Sequence, residues 1–171
     1  RANRTILRDR IYSAMAAAWK ATRRQAVQAF GWRTEPVRLP PRTEKAFSAE
    51  ESRRVLHDPK ARPAQRNNAA FQIAWLQRQQ RPLVLSCLEL GGARVLHLPG
   101  EPFIEYQLYA QKLAKDRFVC VAGYGDGGPG YLPTANAYLE GGYEPTVALA
   151  GPRSEGLLHQ AMEQLLHPEK P

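Results

Sequence analysis

Three apolar runs, LVLSCLEL, ARVLHLP and FVCVAGY, lie between residues 83 and 125, and what separates them constrains the chain more than any other feature. Gly91-Gly92 stands between the first two, a two-residue hairpin signal. PFIEYQLYAQKLAKD stands between the second and third and reads as a helix with Pro102 in its first turn, where a missing N–H costs nothing. A hairpin followed by a strand–helix–strand unit is therefore expected. Downstream, TVALAG is a candidate fourth short strand. SEGLLHQAMEQLL reads as a closing amphipathic helix begun by Ser154.

Ahead of Pro82 the pattern is helical. Leu7, Ile11, Met15 and Trp19 recur every four residues, and Ala26 and Phe30 continue the stripe, which predicts one long helix over residues 4–29 ended by Gly31. WRTEPVRLPPRTEKAF holds three prolines and is extended, because proline denies a helix interior its hydrogen bonds. Ser48-Ala49-Glu50-Glu51 has capping-box spacing and opens a short helix ending near His57. A second helix over about 64–79 places Ala70, Ile73, Ala74 and Leu76 towards a core. The fold class expected is α/β, with α+β as the alternative: N-terminal helices, then a mixed sheet with packed helices. At 171 residues the chain is one domain in size.

The formal charge is +8, which invites a nucleic-acid reading. The charge comes from 18 Arg against 6 Lys dispersed along the chain, with the pairs Arg23-Arg24 and Arg53-Arg54 on helices whose other faces are apolar. That is the pattern of solvated faces, and no nucleic acid is expected as a partner. No apolar run has the roughly 20 residues of a membrane span. Cys87 and Cys120 sit in apolar runs without a CxxC partner or a nearby histidine, so two buried thiols are expected.

VAGYGDGGPGYLPT, residues 121–134, contains five glycines. Gly125 to Gly130 formally match GxGxxG after a strand, but Pro129 and Pro133 bracket the place where a phosphate-binding helix would begin, and Asp126 would set a negative charge beside the phosphates. No Lys-Ser or Lys-Thr follows, so a P-loop fails as well. In PGEPF, residues 99–103, Glu101 stands at a strand end just before a helix. It reads either as a capping acid or as a carboxylate projecting into a cleft at the strand ends. His97, two residues before Pro99, lies where alternation lets it share a face with Glu101, although a lone histidine on an apolar strand is more often a packed core residue. His57, His159 and His167 lie near helix ends and read as surface residues. Ser48 and Ser154 read as caps and Ser86 as a strand residue, which leaves no nucleophile beside a base. No histidine or cysteine spacing completes a zinc site within the chain.

Two stretches together resemble the C-terminal part of the catalytic domain of the neutral/alkaline (non-lysosomal) ceramidases. They are HLPGEPFIEYQ, residues 97–107, and VAGYGDGGPGYLPT running on to GGYEP, residues 121–145. Gly123 and Asp126 fit the family's G-x-x-[ND] loop, Tyr131 its terminal tyrosine, Thr134 the threonine after it, and Tyr143-Glu144 its later YE. The similarity covers roughly residues 83–166 and is closest to compact bacterial members.

The resemblance implies a zinc amidohydrolase acting on an N-acyl amide bond, as in sphingolipid metabolism. Glu101 and Tyr131 would be Zn²⁺ ligands, with Asp126, His97, Gly123 and Thr134 shaping or orienting the site. Two histidine ligands and a nucleophilic serine are expected outside this segment, so the chain is read as the C-terminal portion of a larger catalytic domain, inactive alone. Its partners would be an amide or lipid-like substrate and the polypeptide upstream, and its location secreted or periplasmic. A carboxylate and a phenolate suit Zn²⁺, and the cation would lower the tyrosine from its ordinary value near 10. The glycines then let the backbone bend so that Tyr131 returns towards Glu101. Ile104-Glu105-Tyr106-Gln107 departs from the arginine run that ceramidases proper carry after PGE, which leaves room for another amide substrate. The alternative is a non-catalytic scaffold of the same fold that binds a lipid or protein partner.

Overall fold

The computed structural model describes residues 2–28, 30–125 and 127–167. The fold is α/β, as expected: a four-stranded mixed sheet carrying packed helices. Helix α1 (Ala2–Ala21) comes first, then β1 (Phe30–Val37), a single 3-10 turn (Lys45–Phe47), α2 (Ala49–His57) and α3 (Pro63–Arg78). The hairpin of β2 (Leu83–Leu90) and β3 (Ala93–Pro99) follows, then the two-residue strand β4 (Glu101–Pro102), α4 (Ile104–Leu113), β5 (Phe118–Gly125) and the short β6 (Tyr131–Leu132). Two short helices, α5 (Ala137–Glu140) and α6 (Tyr143–Val147), lead to α7 (Ser154–Leu166).

The sheet order is β1-β2-β3-β5. The hairpin turns at Gly91-Gly92 with Leu90 opposite Ala93, and Gly91 takes the positive φ of 56° that a tight turn requires. β3 and β5 are parallel, which the intervening α4 makes possible by carrying the chain back to the same end of the sheet. β1 pairs with β2 antiparallel along its whole length, Phe30 opposite Leu90 through Val37 opposite Leu83. Phe30 and Gly31 thus belong to a strand. The expected helix over residues 4–29 ends instead at Ala21, because eight residues of ladder to β2 outweigh the continuation of a helical stripe.

The core lies on the sheet face that α4 and α7 cover. Leu83, Leu85 and Cys87 of β2, Leu96 and Leu98 of β3, and Val119 of β5 meet Tyr106 and Ala110 of α4 and Leu158, Met162 and Leu165 of α7. The other face carries Phe30, Trp32, Val84 and Phe118, all exposed, and the α1 stripe of Leu7, Ile11, Met15 and Trp19 is exposed as well. At one end of the sheet Arg33 and Arg94 donate to the carbonyls of Leu165 and Leu166 at the C-terminus of α7, where cations complement the helix dipole. Glu89 ties Arg33, Arg94 and Arg117 together.

Several local expectations hold and several change. The Ser48 hydroxyl accepts from the Glu51 N–H at 3.1 Å and caps α2. On α3 it is Ala69, Gln72 and Trp75 that are buried, while Ile73 and Leu76 are half-buried and Ala70 and Ala74 exposed, a rotation of about one residue from the expected face. Pro102 lies in β4 rather than in the first turn of α4, which begins at Ile104. TVALAG forms no strand: it closes α6 and makes one bridge, Ala150 to Pro41. Ser154 is the first residue of α7, not its cap, and its buried hydroxyl has no partner among the described residues. Cys87 is buried and Cys120 half-buried, both free. No helix among the described residues is long and apolar enough to cross a membrane.

Candidate metal-binding site

The chain leaves the sheet at Pro99, and the geometry beyond it depends on glycine. Gly100 has φ of 62°, and a Cβ there would overlap the carbonyl of Gly130; one on Gly128 would overlap the backbone of Gly100. Without side chains the segments 99–102 and 123–130 lie against each other. Their backbones bond: the Gly100 N–H donates to Gly125 O at 3.3 Å, the Tyr124 N–H to Gly100 O at 2.5 Å, and the Glu101 N–H to Gly130 O at 2.8 Å. At Gly123 a Cβ would come within 2.9 Å of the Pro102 ring. Asp126, expected to shape this loop, lies outside the described residues.

The contact ends in the parallel pair β4–β6, with Glu101 opposite Tyr131 and Pro102 opposite Leu132. Leu132 is buried in the core and anchors the pair. The Tyr106 hydroxyl, also buried, donates to Pro133 O at 3.2 Å and holds α4 against the same segment. Thr134 accepts from the Ala137 N–H at 3.3 Å and so starts α5.

Tyr124 and Tyr131 neighbour the Glu101 carboxylate, and Tyr143 stands against Tyr131. The Tyr124 hydroxyl donates to Glu101 Oε2 at 3.4 Å, and Tyr124 holds φ of 64°, a left-handed backbone that a residue with a side chain adopts only when its surroundings impose it. The Tyr131 and Tyr143 rings meet edge to face, centroids 6.0 Å apart. The Glu101 charge raises the Tyr131 phenol above its ordinary value, so without a cation this hydroxyl stays protonated at neutral pH. A metal ion would reverse that order by favouring both anionic oxygens. Glu101 and Tyr131 are thus two oxygen donors on adjacent strands. The described residues contain no group of three or more His, Cys, Asp or Glu that would hold a metal ion.

His97 lies on the face of the sheet opposite the core. Its ring is tilted against Trp32 at 5.5 Å, and its buried Nδ1 has no partner among the described residues. His159 stacks on Tyr109 at 3.7 Å inside α7, more enclosed than a surface histidine, and burial holds its pKa below the ordinary value. His57 and His167 are exposed.

Beside the tyrosines opens a cavity of about 600 Å³ that the sequence reading missed. The hairpin of α2 and α3 forms one wall, through Ser52, Val55, Ala69 and Gln72, and Tyr131, Tyr143 and Val147 form the other. Arg42 braces both walls: its guanidinium stacks over Phe47 at 4.0 Å and donates to Pro145 O.

Among solved structures the fold is similar to the neutral ceramidase of Pseudomonas aeruginosa, with a TM-score of 0.52 at 16% identity over 81% of this chain and 28% of that one. A ceramidase complexed with C2 gives a TM-score of 0.45 at 20% identity over 50% of this chain and 14% of that one. This chain therefore spans less than a third of either protein, and at such identities the likeness is one of fold alone. No family description and no curated protein matches the chain.

Proposed function

We propose that this chain is part of a zinc-dependent amidohydrolase that cleaves an N-acyl amide bond, with Glu101 and Tyr131 supplying two of the metal's ligands. The observation that carries the reading is their pairing: a carboxylate and a phenol, thirty positions apart, brought to adjacent strand positions by glycines that tolerate nothing larger. The fold supports it, since a solved structure similar in fold is a neutral ceramidase. Bound zinc would supply a Lewis acid for the amide carbonyl and an activated oxygen nucleophile near neutral pH.

The chain's own residues do the positioning. Glu101 is held by its backbone bond to Gly130, Tyr131 by the anchorage of Leu132, and Tyr124 donates to the carboxylate and orients it. Tyr131 carries the proton that must leave before its oxygen binds a cation, so metal uptake releases protons. The remaining ligands and the nucleophile come from polypeptide outside the described residues. The bare sheet face of Phe30, Trp32 and Phe118 and the α1 stripe are apolar surfaces of the kind such polypeptide would cover.

The test is elemental analysis of the protein with whatever polypeptide precedes it in the same reading frame, beside its Glu101→Gln, Tyr131→Phe double variant. About one zinc per chain, lost in the variant, supports the reading; a folded protein without zinc overturns it. In that event a lipid- or partner-binding scaffold becomes the better reading.

A further inference from the structure

The sheet ends in β1 on one side and β5 on the other, and the fold treats these edges differently. On β5 the edge is capped from α4: the Val121 N–H donates to Gln107 Oε1 at 2.7 Å, and Gln107 and Gln111 each donate to Val119 O at 3.5 Å. On β1 nothing caps it. Outside the ladder to β2, no backbone group of residues 30–37 has a hydrogen-bond partner among the described residues. Hairpin geometry tells which groups these are. Leu90 and Ala93 close a two-residue turn and so exchange bonds, and alternation then points Leu83, Leu85, Cys87 and Glu89 at β1. Their partners there are Val37, Glu35, Arg33 and Gly31, which leaves Phe30, Trp32, Thr34 and Pro36 turned outward. Pro36 agrees, since a proline has no N–H to give a ladder and belongs on an open edge. An eight-residue edge strand with an unbroken register is a ready template for another strand.

We propose that β1 pairs antiparallel with β1 of a second copy of this chain, about a twofold axis at Thr34, and joins the two sheets edge to edge. Charge selects the occupant and the register. Centred on Thr34, the pairing sets Arg33 opposite Glu35 of the second copy, and Glu35 opposite its Arg33, in non-hydrogen-bonded pairs whose side chains stand closest. Centred on Arg33 or on Glu35, it would set like charges face to face. Glu35 is half-buried and makes no ion pair among the described residues. Arg33, held by Glu89 and Leu165 O, supplies the counter-charge already in position. Both side chains stay partly exposed beside α7, so that helix does not close the edge. The Thr34 pair exchanges bonds and each Trp32 N–H reaches Pro36 O of the other copy, about four bonds in all. This interface is smaller than the standard one of roughly 1,600 Å², so the dimer is reversible. The Glu101–Tyr131 pair takes no part, and the inference stands apart from the metal reading.

The experiment is sedimentation equilibrium of the full chain across about a hundredfold range of concentration, up to roughly 500 μM. The mass is expected to rise from the 19.2 kDa of one chain towards twice that value. Glu35→Arg turns both attractive pairs into repulsive ones and is expected to weaken association about tenfold. Thr34 is exposed, and Thr34→Cys is expected to give a cross-linked dimer under mild oxidation, because directly opposed residues lie about 5.5 Å apart between Cα atoms. Phe30→Cys, about 27 Å from its symmetry mate along the ladder, is expected not to cross-link. If Glu35→Arg does not fold, the cysteine pair of variants decides. A single-chain mass at every concentration, a dimer that folded Glu35→Arg leaves unchanged, or Phe30→Cys cross-linking as readily as Thr34→Cys overturns the proposal. A monomer once the preceding polypeptide of the same reading frame is included also overturns it, since the edge then belongs to an upstream strand. Zinc content and mass are separate readouts, so each reading can fail without the other.

Discussion

Glu101 and Tyr131 stand opposite each other in a two-residue parallel ladder, joined through the bond from the Glu101 N–H to Gly130 O at 2.8 Å. The negative charge of one raises the pKa of the other, with burial and the neighbouring Tyr143, Glu144 and Tyr124 adding to it. Glu101→Gln should therefore lower the Tyr131 pKa towards the ordinary tyrosine value. Ultraviolet titration of tyrosinate, with Tyr131→Phe identifying the signal, measures it; an unchanged Tyr131 titration would show that the carboxylate does not govern the phenol.

The glycine contacts separate steric from conformational cost. Gly128→Ala forces a methyl into the Gly100 backbone and should destabilise by about 3 kcal/mol. At Gly127, φ is 54° and a Cβ would meet no atom within 4 Å, so Gly127→Ala should cost only the left-handed backbone, about 1 kcal/mol. Urea unfolding midpoints of the two variants give the comparison, and equal losses would contradict the close approach of the two segments.

Glu89 joins Arg33 at 2.9 Å, Arg94 at 3.3 Å and Arg117 at 2.8 Å, and Arg94 is buried. Burial pushes the Glu89 carboxyl up, but the hydrogen bond from Arg33 and the charge of Arg94 outweigh it and hold the pKa below the usual range. A depressed carboxylate contributes stability that is present above its unfolded value, about 4.3, and is lost as pH falls through the folded one. Glu89→Gln should cost about 2 kcal/mol at neutral pH, since it removes the negative charge that faces the buried Arg94 guanidinium. Below the folded value the variant and the parent should converge. Stability measured by denaturant from neutral pH down into that acid range decides it; a gap that does not narrow on acidification would refute the assignment.

Gly156 lies inside α7, where a Cβ would meet nothing within 4 Å and no positive φ is needed. Gly156→Ala should stabilise the protein by about 0.5–1 kcal/mol through helix propensity alone. A lower thermal midpoint would mean that α7 tolerates less on its outer side than its exposure indicates.

Features whose cause lies within a few residues were legible in the sequence. Ser48 caps α2 because its hydroxyl reaches an N–H three residues on, and Gly91-Gly92 turns the hairpin because positive φ is cheap there. The sheet with packed helices was legible too. What was misread depended on distant partners. Phe30 continues a helical period, yet eight residues of pairing with β2 make it a strand. Pro102 suits a helix start, yet it lies opposite Leu132. Gln72 carries no local signal for burial, since its amide donates to Phe47 O, 25 positions away.

By itself the sequence determined the local conformations: which stretches alternate, where the backbone must turn through positive φ, and which residues offer oxygen donors. Tertiary structure alone decided that Glu101 and Tyr131 share a ladder, that α3 turns Gln72 inward, and that residues of separate elements line one open cavity. The physical reason is range. Propensity and capping act over a few residues, whereas pairing, close approach and enclosure depend on what the rest of the chain brings to the same place.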